Sequence, residues 1–114
     1  MIMKGGLFMT SSTIIKWTTP TLTCKIPEGL VFDYIIFTLS QNEKTVERRI
    51  DKSEVVDNKF NVFITQEETG QFSKNFLVKA QLNILLGENR QGTNTLTLKI
   101  TENLHDKVIG DTNG

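Results

Sequence analysis

The sequence contains a single cysteine, Cys24, and a single histidine, His105. One cysteine cannot form a disulfide within the chain, and a structural zinc ion needs about four cysteine or histidine ligands. We therefore predict a fold without disulfides, metal ions or other cofactors. His105 lies beside Asp106, but no pattern places a serine or cysteine where this pair would activate it. No catalytic residue is predicted, and the protein is not expected to be an enzyme.

An excess of charge of one sign and a long apolar run are also missing. The 114 residues include 13 basic and 13 acidic ones, giving no net charge. Dedicated nucleic-acid binders usually carry a basic surplus, and a membrane span needs about 20 consecutive apolar residues. We therefore predict no nucleic-acid partner and no membrane association. The apolar stretch at the N-terminus is too short for a signal peptide.

The N-terminal residues themselves suggest a bacterial or phage gene. Lys4-Gly5-Gly6 can be encoded by a purine-rich ribosome-binding site, which would make Met9 the true start. We expect residues 1–12 to be a leader that is disordered or lies upstream of that start. A single domain is then predicted over residues 13–104, and residues 105–114 form a flexible tail. The protein would be made in the bacterial cytoplasm.

Apolar and polar residues alternate with a period of two along most of the chain, and helical periodicity is almost absent. A short helical turn is predicted at 66–72. Evenly spaced strands separated by turn residues predict an all-β fold, an antiparallel two-sheet sandwich of immunoglobulin-like type with about seven strands. A small barrel is the alternative. The predicted strands are 13–18, 21–26, 30–40, 44–50, 59–65, 76–86 and 93–101.

The same alternation assigns side chains to the two faces of each strand. Tyr34 and Phe76 are expected in the core, and Ile15 shares a face with Trp17. Val31 is expected on the same face as the core residues of the strand at 30–40. In the strand at 44–50, an arginine points inward between apolar residues, which is typical of an edge strand protected against further pairing.

Five residues are candidates for a contact surface. Leu77 and Leu85 point outward on otherwise polar faces, although scattered surface leucines are common. Arg48 and Arg49 are adjacent on the predicted edge strand, and no aromatic residues alternate with them as in many nucleic-acid binders. Trp17 is the only tryptophan. We expect it to be buried in the core or at an interface, and the alternative is an exposed platform for a sugar.

Three segments carry a resemblance to a known family. They read Phe-Ile-Thr-Gln-Glu-Glu-Thr at 63–69, Phe-Leu-Val-Lys-Ala-Gln-Leu at 76–82 and Thr-Leu-Thr-Leu-Lys-Ile-Thr at 95–101. In this order they resemble small β-sandwich modules of phage and prophage tails, notably the N-terminal domain of the baseplate upper protein family. The likeness covers roughly residues 20–104. It implies a structural module that docks on neighbouring tail proteins and has no catalytic residues.

Members of that family continue into long C-terminal regions that hold receptor-binding subunits, whereas this sequence ends at Gly114. If the resemblance holds, we expect a stand-alone module. We therefore expect a non-enzymatic structural protein of a phage or prophage, present in the virion. Its partners would be other phage structural proteins or copies of itself in a homo-oligomer, with pairing of exposed sheet edges as one route. The alternative is a small carbohydrate- or ligand-binding module that uses Trp17.

Charge along the chain fits contact between copies. Residues 1–27 contain three lysines and no acidic residue, whereas residues 28–58 contain seven acidic and four basic residues. A basic N-terminal part and an acidic middle are suited to orienting one copy against another. The alternative interpretation is a patchy, solvated surface.

Overall fold

The computed structural model describes residues 8–9 and 13–110, which contain nine strands and two short helical segments. The helical segments are a 3₁₀ turn, Lys52–Glu54, and helix α1, Gln66–Gly70. The strands are β1 (Phe8–Met9), β2 (Thr13–Ile15), β3 (Thr21–Lys25), β4 (Tyr34–Gln41), β5 (Lys44–Asp51), β6 (Lys59–Phe63), β7 (Val78–Leu86), β8 (Asn89–Gly92) and β9 (Leu96–Thr101).

The strands form two sheets that enclose the core. The smaller sheet has the order β1-β3-β6, and the larger has the order β2-β9-β7-β4-β5, with β8 beside β7. Alternate side chains of both sheets point inward, because successive residues of a strand face opposite sides. Phe37 and Phe72 are the largest fully buried side chains. The prediction of an all-β two-sheet sandwich is therefore confirmed.

One strand pair departs from the predicted antiparallel arrangement. Strand β2 runs parallel to β9, with Thr13 opposite Lys99 and Ile15 opposite Thr101. The short β1 lies in the other sheet, where Met9 pairs with Cys24. The N-terminal part of the chain thus contributes to both sheets. Phe8 and Met9 fall in the segment predicted as a leader, and the prediction for the other residues of 1–12 lies outside the described residues.

The predicted loop at 87–92 is instead a tight hairpin followed by a strand. Strand β8 turns back at Gly87 and Glu88 and pairs with the end of β7. Thr93 then interrupts the edge before β9 begins. Its amide donates to the Leu82 carbonyl at 2.9 Å, and its hydroxyl accepts from the Leu82 amide at 3.0 Å. The Thr93 hydroxyl thus accepts the hydrogen bond that a backbone carbonyl of a neighbouring strand would otherwise accept from Leu82. This allows the chain to leave β8 at Gly92 and enter β9 at Leu96.

The faces predicted for Val31, Phe76 and Ile15 were wrong. Residues 30–33 precede β4 rather than belonging to it, and Val31 is exposed. Phe76 lies before β7 and is also exposed, because β7 begins only at Val78. In β2 the buried residue is Ile14 and not Ile15. Alternation fails at these positions because the chain is entering or leaving the sheet.

The strand directions define two ends of the sandwich. Lys25 pairs with Lys59 and Leu86 pairs with Asn89 at one end, where residues 26–33, 52–58 and 87–88 connect the strands. We call this the loop end. Helix α1 and residues 102–110 lie at the other end, which we call the helix end.

Candidate functional site

Two adjoining depressions form a concave surface at the loop end. They enclose about 420 Å³ and about 380 Å³ and share Leu30 and Val31. We call the two together the loop-end groove. Its lining consists of Leu30, Val31, Phe32, Lys52, Val55, Ile84, Leu86, Asn89, Arg90 and Gln91.

Turn chemistry and hydrogen bonds fix the segment that separates the two depressions. Gly29 has a φ of 77°, which glycine adopts at no steric cost, so the chain can reverse directly after Pro27. On the other side, the Asp33 amide donates to the Leu85 carbonyl, and the Asp33 carboxylate accepts from the Gly87 amide, each at 2.7 Å. Leu30 and Val31 are thus held between two anchored points.

The groove is apolar in the middle and has one cationic side chain in each depression. Val31 is 67% exposed, Leu86 is 40% exposed, and Leu30 is half-buried. Lys52 belongs to one depression and Arg90 to the other, and no acidic residue is part of the lining. The lining holds no serine, cysteine, histidine or carboxylate that could act as a nucleophile or general base. Chemically, such a surface can bind apolar side chains that are flanked by negative charge.

The outer face of the larger sheet carries a second, more polar depression of about 230 Å³. The guanidinium of Arg49 lies 3.9 Å from the centre of the Tyr34 ring and also pairs with Asp51 at 3.0 Å. Leu85 is directly opposite Tyr34 in the neighbouring strand. The structure thus brings two of the predicted contact residues, Arg49 and Leu85, onto one face. Tyr34 lies under the arginine on this face, so its predicted place in the core was wrong.

Arg48 points inward and ties the two sheets together. Its guanidinium bonds the Glu68 carboxylate at 2.5 Å, the Phe63 carbonyl at 3.3 Å and the Glu47 carbonyl at 3.0 Å. Strands β5 and β6, which carry these two carbonyls, are the last strands of their sheets. The prediction that the strand at 44–50 lies at a sheet edge is therefore confirmed. The Arg48 side chain donates to a backbone carbonyl on the edge strand of each sheet.

Glu68 links this ion pair to the start of helix α1. Burial raises the pKa of Glu68, but hydrogen bonds from Arg48 and the Thr65 amide outweigh it and hold the pKa below its usual value. The Thr65 hydroxyl accepts from the Glu68 amide at 3.2 Å, and the Glu68 carboxylate accepts from the Thr65 amide at 2.9 Å. This reciprocal capping explains why so short a helix forms.

The other two predicted contact residues lie elsewhere at the helix end. Trp17 is half-buried with one part of its ring against Gly70, where an added Cβ would come within 2.2 Å of ring atoms. Its backbone has a φ of 64°, and Lys16 lies 6.0 Å from the ring centre. Leu77 is 51% exposed just before β7. These two residues do not join the loop-end groove or the Arg49–Leu85 face.

Among the residues that the structure describes, no three histidine, cysteine or acidic residues lie together in a way that could hold a metal ion. Burial raises the pKa of the Cys24 thiol to about 12, which keeps it protonated and unreactive at neutral pH. His105 is exposed at the helix end. Within the described part of the chain, no helix has the length and apolar character needed to cross a membrane.

Comparison with known proteins shows the fold and goes no further. No protein-family model and no curated protein matches the chain. A solved structure titled "Marsupial T cell receptor" is similar to it, with a TM-score of 0.53 and 14% sequence identity. The match covers 86% of this chain and 54% of that one, so this chain spans about half the length of the receptor chain. The immunoglobulin-like type of the sandwich is thereby confirmed.

The sequence did not single out the loop-end groove. Val31 was assigned to the core side of a strand, and the polar β8 was interpreted as a loop. One signal was present: Leu30, Val31 and Phe32 follow directly after the turn residues Pro27 and Gly29. Three apolar residues at the exit of a turn can cover the open end of a sandwich, where alternation between two faces no longer applies.

Proposed function

We propose that this protein is a non-enzymatic assembly module of a phage or prophage tail or baseplate, and that it acts through protein–protein contacts. The loop-end groove is the observation that carries the proposal. Contiguous exposed apolar surface of this kind marks interaction sites in soluble proteins, because leaving it in water is unfavourable. Val31, the most exposed apolar residue of the groove, lies on a backbone that is anchored on both sides.

The tail assignment depends on the sequence resemblance, and the structure is compatible with it. The three segments that carry the resemblance fall on consecutive parts of the sandwich. Residues 63–69 join β6 to helix α1, residues 76–82 lead into β7, and residues 95–101 contain β9. These segments build the sandwich and its helix end, so they leave the loop end available for contact with neighbouring tail proteins.

A binding experiment with defined partners tests this function. Each protein encoded beside this gene is purified, and its binding to the full chain is measured by calorimetry. We expect one of them to bind, and Val31→Asp to weaken that binding at least about tenfold, because a charge would enter an apolar contact. Val56→Asp is the matched control: Val56 is also 67% exposed at the loop end but does not line the groove.

Two outcomes would overturn the proposal. One is that none of the neighbouring proteins binds and the neighbouring genes encode metabolic enzymes. The other is that Val31→Asp and Val56→Asp bind the partner equally well, which would remove the groove from the contact. Neither valine lies in a named strand, so both variants should fold like the wild type. Circular dichroism checks this.

The carbohydrate-binding alternative stays a prediction. An aromatic platform for a sugar needs a ring face open to solvent. Trp17 packs on Gly70, and the Tyr34 ring carries the Arg49 guanidinium. No feature of the described residues favours this second function.

A further inference from the structure

A fully exposed leucine projects from the helix end on a fixed backbone. Leu104 has no part of its side chain covered by the described residues. The preceding Asn103 donates from its side chain to the Lys16 carbonyl at 3.1 Å and accepts from the His105 amide at 3.0 Å. One side chain thus holds the backbone on both sides of Leu104. An apolar group fixed in water is costly for a monomer but loses little conformational freedom on binding.

A second anchor holds the chain beyond Leu104. The Gln66 side-chain amide donates to the Ile109 carbonyl, and the Ile109 amide donates to the Gln66 side-chain oxygen, both at 2.6 Å. Ile109 is itself 58% exposed. We call residues 102–110 the leucine loop. The two anchors connect this part of the chain to Lys16 and to helix α1 and leave Leu104 and Ile109 exposed.

The leucine loop cannot fill the groove of its own molecule. Strand β9 runs antiparallel to β7, so residue 101 and the leucine loop lie at the end opposite the β7–β8 hairpin. The nine residues of β7 alone span about 30 Å. Leu104 lies three positions after Thr101, a stretch of chain that reaches at most about 10 Å. Any contact between Leu104 and a loop-end groove must therefore join two molecules.

The charges around Leu104 complement those of the groove. The nearest charged residues on either side of it in the sequence are Glu102 and Asp106, and with Lys107 the leucine loop has two acidic residues and one basic residue. The groove presents Lys52 and Arg90, one in each depression, and no acidic lining residue. Glu102 already pairs with Lys74 at 2.6 Å on the surface, where its contribution is small and it stays accessible to a second cation. Apolar character and charge thus favour the same occupant.

We propose that Leu104 of one copy inserts into the loop-end groove of a second copy, so that copies of this chain join head to tail. This inference builds on the proposed function, since it names the partner of the same groove. The contact is heterologous: each molecule offers a groove at one end and a leucine loop at the other. Repetition of such a contact gives a ring if the rotation closes and a filament if it does not.

Mixing two complementary variants tests the head-to-tail arrangement. Sedimentation velocity of the wild-type chain up to ~1 mM should show species that grow with concentration and exceed a dimer. Val31→Asp alone and Leu104→Asp alone should each sediment as a monomer, because each has lost one of its two surfaces. An equimolar mixture should form a heterodimer and nothing larger, since one intact groove and one intact leucine loop remain.

Two control variants make the test specific. Val56→Asp changes an equally exposed valine at the loop end, and Leu77→Asp changes an exposed leucine outside the leucine loop. Both should assemble like the wild type. The milder Leu104→Ala should weaken assembly about tenfold or more, the loss expected when a buried leucine side chain is truncated.

The outcomes separate this inference from the proposed function. A wild-type chain that stays monomeric at ~1 mM overturns it, as does Leu104→Asp that still assembles or a mixture of the two variants that stays monomeric. If the wild type is monomeric and a neighbouring gene product still binds in a manner sensitive to Val31→Asp, self-docking fails while the assembly function stands. If the wild type assembles and no neighbouring gene product binds, self-docking stands while the proposed assembly function with neighbouring proteins fails.

Discussion

Replacing Gly70 with alanine should destabilise the protein, although it places a better helix former in helix α1. A glycine-to-alanine change inside a helix normally stabilises it by up to about 1 kcal/mol. Here the new Cβ would lie 2.2 Å from the nearest atom of the Trp17 ring. Carbon atoms in contact prefer about 3.5 Å or more, so the ring would have to move by more than about 1 Å.

The cost of this overlap should exceed the gain in helix propensity. Overpacking of this kind usually costs about 1–3 kcal/mol, and a rigid ring on a constrained backbone belongs at the upper end. The Thr18 amide also donates to the Thr69 hydroxyl at 3.1 Å, which resists a shift of the segment next to Trp17. We expect Gly70→Ala to lower the free energy of unfolding by about 2 kcal/mol and the melting temperature by about 8–16 °C.

Urea denaturation followed by circular dichroism measures the stability, and the emission of the single tryptophan reports the displacement of its ring. The decisive comparison uses the background of Trp17→Ala, where the overlap is gone and Gly70→Ala should become neutral or stabilising. Gly92→Ala is the control, because its Cβ meets only side-chain ends, that of Gln81 at 3.3 Å and that of Asn83 at 3.6 Å. A Gly70→Ala variant with wild-type stability and emission would refute the reasoning.

Three further changes have defined outcomes. Thr93→Val leaves the Leu82 amide without its acceptor and should cost about 1–3 kcal/mol in urea melts, whereas Thr93→Ser should stay near the wild type. Because the folded state lowers the pKa of Glu68, its contribution is full above the unfolded pKa of about 4.5 and is lost as the pH falls through the lower folded value; Glu68→Gln should flatten that part of a pH–stability profile. Cys24 should react with a thiol reagent only on unfolding, so modification of the native protein at neutral pH would contradict its raised pKa.

The long strands could be predicted from the sequence because their alternation continues over many residues on two sheets that share one core. Phe37 and Leu39 in β4, and Leu82 and Ile84 in β7, are buried as the period of two requires. The inward arginine of β5 also indicated its edge position correctly. In these strands the need to bury every second side chain produces an alternation of residue types that can be recognised in the sequence.

Other features could not be predicted, because they depend on the backbone or on distant parts of the chain. Strand β8 is polar and is held by pairing with β7, which leaves no apolar pattern. The alternation of apolar and polar residues does not show whether β2 runs parallel or antiparallel to its neighbour. The groove combines Val31 and Lys52, which lie in two separate connections, with Arg90 of β8, and no local spacing in the sequence indicates that these three residues line one surface. The packing of Trp17 on Gly70 joins residues more than fifty positions apart.

The parallel pairing of β2 and β9 has a mechanical consequence. A pull that separates the two ends of the chain draws β2 from its first residue and β9 from its last. In a parallel pair these forces act along the strands in opposite directions, so the pair is loaded in shear and its hydrogen bonds share the tension, whereas an antiparallel hairpin pulled from its open end unzips one bond at a time. Once the flanking segments have been pulled away, this three-residue pair is where a chain held under tension between two attachment points should resist rupture.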